Sequence, residues 1–523
     1  MSKLTQILLA AAFFNGLAWI ILIPIWQYPD EQSHFAQVQD IAEIGSVPKI
    51  GPTTSLEITN SEKFLGTERD GLGNNKFTYN PYYQIDYTDT NVGIFEKFIA
   101  NMPPEARTSM VKNEATQNPP LYHIMSSNFY RLFGKGNLFD RVYGVRIFSL
   151  LLYLSIVAIC LNAAKMIFPK IISQQTLAAS IAFTPMLVFS TTGVLPDPLT
   201  IFLFSAIFTV CLKIIKTGVT TPLITIVAIL NALGIYTRQQ FQIAIPISLA
   251  ACLYALYWKV PKQKKRFYWL GLALLILIFL ISVKIAARIY PAILAIPELG
   301  IPDVSLMFTG NFTNYLYSAI WHYYSQTLPW YWGVYKWLSL TLPHTYYQII
   351  NRIIFVSGVG LAIWLFKIIK NQKIKKSDIP IFFFLMAILL YVSIFIVWDF
   401  YFQNTYGYPF GVQGRYFLPL ILPITSVLLF GLTNLFELFL KKYLQLLQIL
   451  VTFALILFND VSLSYVSSSY YRVTNIKTFI NQVSQYKPVI LKGEVFILVL
   501  LAALLTQLIF LIYLFKFLKI KND

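Results

Sequence analysis

The side chains best suited to acid–base chemistry come early in the chain. "PDEQSH" sets Asp30, Glu31 and His34 directly after an apolar stretch, residues 4–27. Proline in a first turn and acids beside it read locally as a helix start, where the dipole favours negative charge. A carboxylate held there stays ionised and can take a proton from a hydroxyl. Asp30 and His34 are four residues apart and so share one helix face. A further acid, Asp197, stands in "GVLPDPLT" between two prolines that restrict its backbone. Two arginines occupy comparable positions. Arg238 in "YTRQQFQ" has Gln239, Gln240 and Gln242 around it, and Arg415 in "GVQGRYFLPL" follows Gly411 and Gly414. A planar guanidinium suits phosphate better than an ammonium does. The plain alternatives are a turn acid and arginines that snorkel to an interface.

Residue type would allow a metal at Asp30, Glu31, His34 and His123. No two of the histidines have a ligand spacing, so no metal ligands are assigned and no cofactor is required, with a divalent cation left open. Cys160, Cys211 and Cys252 all fall in apolar runs and behave as small hydrophobes rather than as a disulfide framework. The aromatic series Trp321, Tyr323, Tyr324, Trp330, Tyr331, Trp332, Tyr335 and Trp337 reads first as an interfacial belt and second as a sugar-stacking surface.

These residues must be positioned by membrane helices. The 523 residues are 57% hydrophobic and only 12% charged, about half the charge of a soluble protein. Spans of about 20 apolar residues are expected at twelve places: 4–27, 143–168, 176–193, 198–216, 220–237, 240–258, 267–287, 349–368, 379–398, 416–436, 444–464 and 494–516. The net charge of +18 needs no nucleic acid. Lysines cluster in "KVPKQKKR", "KIIKNQKIKK", Lys441-Lys442 and "KFLKIKND", all on one side together with Lys3, and the positive-inside bias makes that side the cytoplasm. Both termini are then cytoplasmic, and the first span is read as an uncleaved anchor.

The opposite side receives residues 29–142, the 193–198 and 238–239 turns, and the 288–348 and 399–415 loops. All four histidines fall there, and 13 of the 23 acidic residues lie between Asp30 and Glu114. A connection as long as 29–142 implies a function. Phe35, Val38, Ile41 and Ala42 recur at helical steps, which predicts an amphipathic surface helix. "NPPLYHIMSSNFYRLFG" (118–134) predicts a second, begun by Pro120, and 46–95 reads as loops.

"PDEQSHF", "NPPLYH", "LPDPLT", "WYWGVYKW" and "VQGRYFLPL", in this order, resemble a bacterial membrane family catalogued as domain-of-unknown-function family 2142, which is grouped with the GT-C glycosyltransferases. The chain departs from that pattern at Lys336-Trp337, where Gly-Trp is frequent, and at Leu195, where Asn is frequent. The resemblance implies an all-α polytopic GT-C-like fold. A catalytic module would span 1–436, with its first outer loop at 29–142, and C-terminal helices would follow at 437–523. It implies an inverting transfer of a sugar from a polyprenyl-phosphate donor to a cell-surface glycan or lipid acceptor, at the outer face of the bacterial cytoplasmic membrane. The essential acid carries over to Asp30, with Glu31 as its rival. Substrate contacts are expected from His34, Tyr122, His123, Asp197, Arg238, Gln413, Arg415 and Tyr416. A transporter or flippase of lipid-linked sugars, or a glycan polymerase or ligase, is the competing expectation.

Overall fold

The computed structural model describes residues 2–47, 54–70, 73–87, 92–109, 111, 119–259, 269, 273, 304–308, 310–408, 410–472 and 474–519. Among these residues the protein is helical apart from one short hairpin, Val334–Tyr335 paired with Leu340–Thr341. Nine helices are long and apolar enough to cross a membrane, ten if a bent pair counts as one. We label α1 (Lys3–Leu22), α2 (Glu31–Ile44), α3 (Leu56–Leu65), α4 (Val92–Ala100), α5 (Leu121–Leu132) and α6 (Leu138–Ile167). Then come α7 (Ile171–Ala182), α8 (Pro185–Thr192), α9 (Asp197–Thr217), α10 (Thr221–Ile235) and α11 (Ala244–Lys259).

The span expected at 176–193 is the bent pair α7 and α8, which meet at 56°. Pro185 cannot continue the ladder of α7, and it opens a new helix instead. The segment 220–237 is the shorter apolar helix α10. The expected span 267–287 lies outside the described residues. The remaining expected spans are long apolar helices, among them His344–Asn371, Ile379–Tyr406, Gly414–Phe439, Lys441–Tyr470 and Val495–Leu518. Packing between His344–Asn371 and the Gly414–Phe439 helix depends on two glycines. A Cβ on Gly360 would sit 1.9 Å from the carbonyl oxygen of Gly431, so only hydrogen fits where these backbones cross.

The first long connection is more ordered than its composition suggests. Both expected helices are present, as α2 and α5, but α2 is no surface helix: every residue from Glu31 to Ile41 is buried, because α3, α5 and the helix bundle cover its polar face as well as its apolar one. Between them, where loops were expected, run α3, capped by the Ser55 side chain, and α4. Buried ion pairs hold this layer on the membrane helices. Arg141 of α6 contacts both carboxylate oxygens of Glu57 at 3.1 and 2.5 Å and donates to the Tyr130 hydroxyl at 2.6 Å.

The helices are polarised end to end. α9 starts at Asp197 and reaches Lys213 and Lys216 in its last turns; α6 carries Arg141 and Arg146 near its start and Lys165 near its end; the helix after Arg415 runs toward Lys441 and Lys442. The ends away from the lysines meet at the Asp30–Glu31 turn: Arg146 and the Val194 N–H before α9 reach Glu31, and Arg415 reaches Asp30.

Candidate active site

The cleft has a volume of about 170 Å³, and its lining includes Gln27, Asp30, Phe189, Trp337, Gln413 and Arg415. Asp30 is the residue before α2, yet it does not cap it. Its backbone is left-handed (φ 55°, ψ 22°) and its side chain makes no capping bond. Asp tolerates that region better than most side chains, and residues held there often mark functional sites. The freed carboxylate meets two guanidiniums, Arg69 Nη1 at 3.2 Å from Oδ1 and Arg415 Nη2 at 3.4 Å from Oδ2. It stays 39% exposed. Burial alone would raise its pKa, but the permanent charges of Arg415 and Arg69 pull it below the ordinary carboxylate value, so it is ionised at neutral pH.

Glu31, expected as the rival base, is turned away from the cleft and fully buried. It forms a bidentate pair with Arg146, Nε to Oε1 at 2.8 Å and Nη2 to Oε2 at 2.7 Å. Its oxygens also accept from the backbone N–H groups of Trp26 and Val194. Arg146 donates further to the carbonyls of Ile20, Ile23 and Pro24 at the end of α1. Glu31 thus ties α1, α6 and the turn before α9 together, with no face open to a substrate.

His34 Nδ1 lies 3.2 Å from His123 Nε2, and both rings are buried. Burial, reinforced by Arg238, Arg415 and Arg69, outweighs Asp30 and drives His34 down to about 3. Burial and His34 likewise hold His123 well below its usual value. Both imidazoles are therefore neutral near pH 7. Tyr122, beside His123, is buried and shares a hydrogen bond with Ser149 at 2.8 Å. It does not line the cleft.

Asp197 is ion-paired with Arg238. The guanidiniums of Arg238 and Arg415 lie 5.6 and 5.5 Å from the centroid of one ring, Tyr416. Pairing with Asp197 offsets the cost of placing Arg238 so near a second arginine. Gly414 has a packing role, because a Cβ there would come within 2.1 Å of the Tyr331 nitrogen. Gly411 instead adopts a positive φ of 74°, with nothing near its missing Cβ. Among the described residues no group of three or more His, Cys, Asp or Glu is arranged to hold a metal ion.

Two site arginines and the hairpin that positions Trp337 escaped the sequence reading. Arg69 comes from the loop after α3 and Arg146 from the interior of an apolar helix; two arginines five residues apart in "RVYGVR" were the available signal for the second. The hairpin is the third element. Lys336, Trp337 and Leu338 are all left-handed, with φ of 51°, 54° and 63°. Trp337 lines the cleft, donates to the Trp26 carbonyl at 3.1 Å and carries the Arg69 guanidinium 5.5 Å from its ring. Part of the expected belt is therefore cleft wall.

The chain belongs to the family described as "Predicted membrane protein (DUF2142)", whose model matches residues 13–424. No curated protein matches it in sequence. Solved structures similar to it include the Archaeoglobus fulgidus oligosaccharyltransferase complex with zinc and sulfate, at 11% identity and a TM-score of 0.42, covering 88% of this chain and 53% of that one. The apo form of the same enzyme aligns at 12% identity with a TM-score of 0.46, covering 91% and 57%. ArnT from Cupriavidus metallidurans in the apo state aligns at 11% with a TM-score of 0.42, covering 95% and 74%. The chain thus spans little more than half the length of the oligosaccharyltransferase.

Proposed function

We propose that this family member is a membrane glycosyltransferase that moves a sugar from a polyprenyl-phosphate donor to a glycan or lipid acceptor, at the membrane face opposite its lysine-rich ends. The observation that carries the reading is the Asp30 carboxylate, ionised, open to the cleft and set between Arg69 and Arg415. The resemblance of the motifs around Asp30 and Arg415 to a family grouped with the GT-C glycosyltransferases supports sugar transfer as the chemistry.

Asp30 is the base. It accepts the proton of the acceptor hydroxyl as that oxygen attacks the anomeric carbon. The bond from the anomeric carbon to the phosphate oxygen breaks, and its electron pair leaves on the phosphate. One in-line displacement inverts the anomeric centre. Proton transfer and charge stabilisation are coupled here. As Asp30 becomes neutral its hold on Arg415 weakens, and the guanidinium is released toward the phosphate when negative charge develops there. Arg238, kept in place by Asp197 and Tyr416, adds positive potential. A lipid phosphate leaves as a stable anion, so no general acid is required. The polyprenyl tail would remain in the bilayer beside the spans.

The test uses purified full-length protein in detergent, where no second compartment exists. Incubation with undecaprenyl-phosphate-linked sugars and an acceptor extract should convert donor to free undecaprenyl phosphate. A transporter would leave the donor intact, and that result would defeat the reading.

A further inference from the structure

Gln27 lines the cleft and is only 1% exposed. Neither its Oε1 nor its Nε2 has a hydrogen-bond partner among the described residues. Buried carboxamides are ordinarily bonded at both ends, so one without partners in the wall of a cleft calls for a ligand. The backbone on its N-terminal side is fixed. The N–H of Trp26 donates to Glu31 Oε2 at 2.9 Å, and the carbonyl of Trp26 accepts from Trp337 Nε1 at 3.1 Å. Trp26 itself is held left-handed at φ 62°. The same Glu31–Arg146 pair that anchors the turn before Asp30 therefore also anchors Gln27. The carboxamide is unbonded on a rigid support, which is the condition for a preorganised contact.

Its neighbours narrow the ligand. Arg415, on the same cleft, has its Nε buried without a partner while its Nη2 faces Asp30. Anionic ligand groups are drawn to Arg415, which leaves the neutral amide for a neutral polar group. A carboxamide sets a donor NH2 beside an acceptor oxygen in one plane. It matches two adjacent hydroxyls on a sugar ring, one accepting and one donating. A sugar that makes both bonds leaves neither end of the amide stranded.

We propose that Gln27 reads a vicinal hydroxyl pair on the sugar of the lipid-linked donor and sets sugar preference. The proposal rests on the glycosyltransferase reading above. A site built to bond a hydroxyl rejects a ligand lacking it strongly, because the site's own polar group is then stranded.

The experiment measures thermal stabilisation of the purified full-length chain by undecaprenyl phosphate alone, and by undecaprenyl phosphate bearing glucose, galactose, N-acetylglucosamine or arabinose. Wild type should bind at least one sugar-bearing lipid about tenfold or more tightly than the bare phosphate. Gln27→Leu should bind bare lipid as before and lose that preference to within about twofold. Gln27→Asn, which keeps the amide one methylene short, should fall between them and serves if the leucine variant does not fold. If wild type prefers a sugar-bearing lipid and these variants keep the preference, Gln27 is not the reader, although the glycosyltransferase reading stands. If wild type binds every sugar-bearing lipid no better than the bare one, the subsite is overturned. If no lipid phosphate stabilises wild type, the donor assignment fails first and the subsite with it.

Discussion

Arg415 Nη2 and Asp30 Oδ2 stand 3.4 Å apart although 385 residues separate them in sequence. The contact joins the long segment after α1 to the loop before a late span, so acid and cation are brought together only by the completed helix bundle. Arg69, from within that same long segment, holds the other carboxylate oxygen.

Removing the cation should slow the chemical step. Arg415→Gln should lower kcat by about 10²–10³, the loss typical of deleting one preorganised donor at developing charge. Arg415→Lys should restore only part, since an ammonium lacks the planar fork. Steady-state turnover of a lipid-linked donor reads both. Unchanged kcat in Arg415→Gln would place the phosphate elsewhere.

The two adjacent acids should behave oppositely. Glu31→Gln leaves Arg146 buried without its counter-charge, and breaking such a pair costs about 3–5 kcal/mol. Thermal unfolding should drop sharply in that variant. Asp30→Asn, whose carboxylate is partly exposed, should lose clearly less. Equal stability losses would contradict the separation of roles.

Acidity should act on Asp30 through its arginines. Their charge lowers the folded-state pKa of Asp30, so the stability from these contacts is present above the unfolded value and lost as pH falls through the folded one. By the same shift, activity should persist down to the ordinary carboxylate range, about pH 4, before its acid limb begins. Arg415→Gln and Arg69→Gln should each move that limb upward in a pH–rate profile. A limb that stays put in both would deny the coupling.

Stability should also fall on mild acidification because of the paired imidazoles. His34 is depressed to about 3 and His123 is lowered as well. Between those values and the unfolded value of about 6.5, the unfolded chain binds more protons, so stability rises with pH across that window. Thermal unfolding should therefore occur at lower temperature at pH 5 than at pH 7.5. His34→Gln with His123→Gln should flatten the difference.

Much of the architecture can be read from the sequence because hydropathy and the three- and four-residue spacing of Phe35, Val38 and Ile41 act locally. Asp30, Asp197, Arg238, Gln413 and Arg415 could likewise be picked out as charged or polar groups at span ends. What stayed hidden depends on tertiary partners. Nothing local distinguishes Asp30 from Glu31; only the buried Arg146 claims one and leaves the other. α3 and α4 are short helices in Gly- and Asn-rich surroundings, and packing decides them. The run Lys336–Leu338 turns left-handed without a glycine, so no turn signature announced the hairpin. Asp460, an acid within a span, proves to accept from Asn459 and Gln507 at 3.0 and 3.1 Å, while Asn459 donates to Asn15 of α1 at 2.6 Å. That polar network ties α1 to the last helices and lies apart from the cleft.

The central claim is that the Asp30 carboxylate removes the acceptor's proton. Its most direct measurement is single-turnover transfer from a lipid-linked donor by wild type, Asp30→Asn and Asp30→Glu, each first shown to be folded. The account predicts a loss of about 10² or more in the asparagine variant, with partial recovery in the glutamate variant. Transfer at the wild-type rate by a folded Asp30→Asn protein would contradict it.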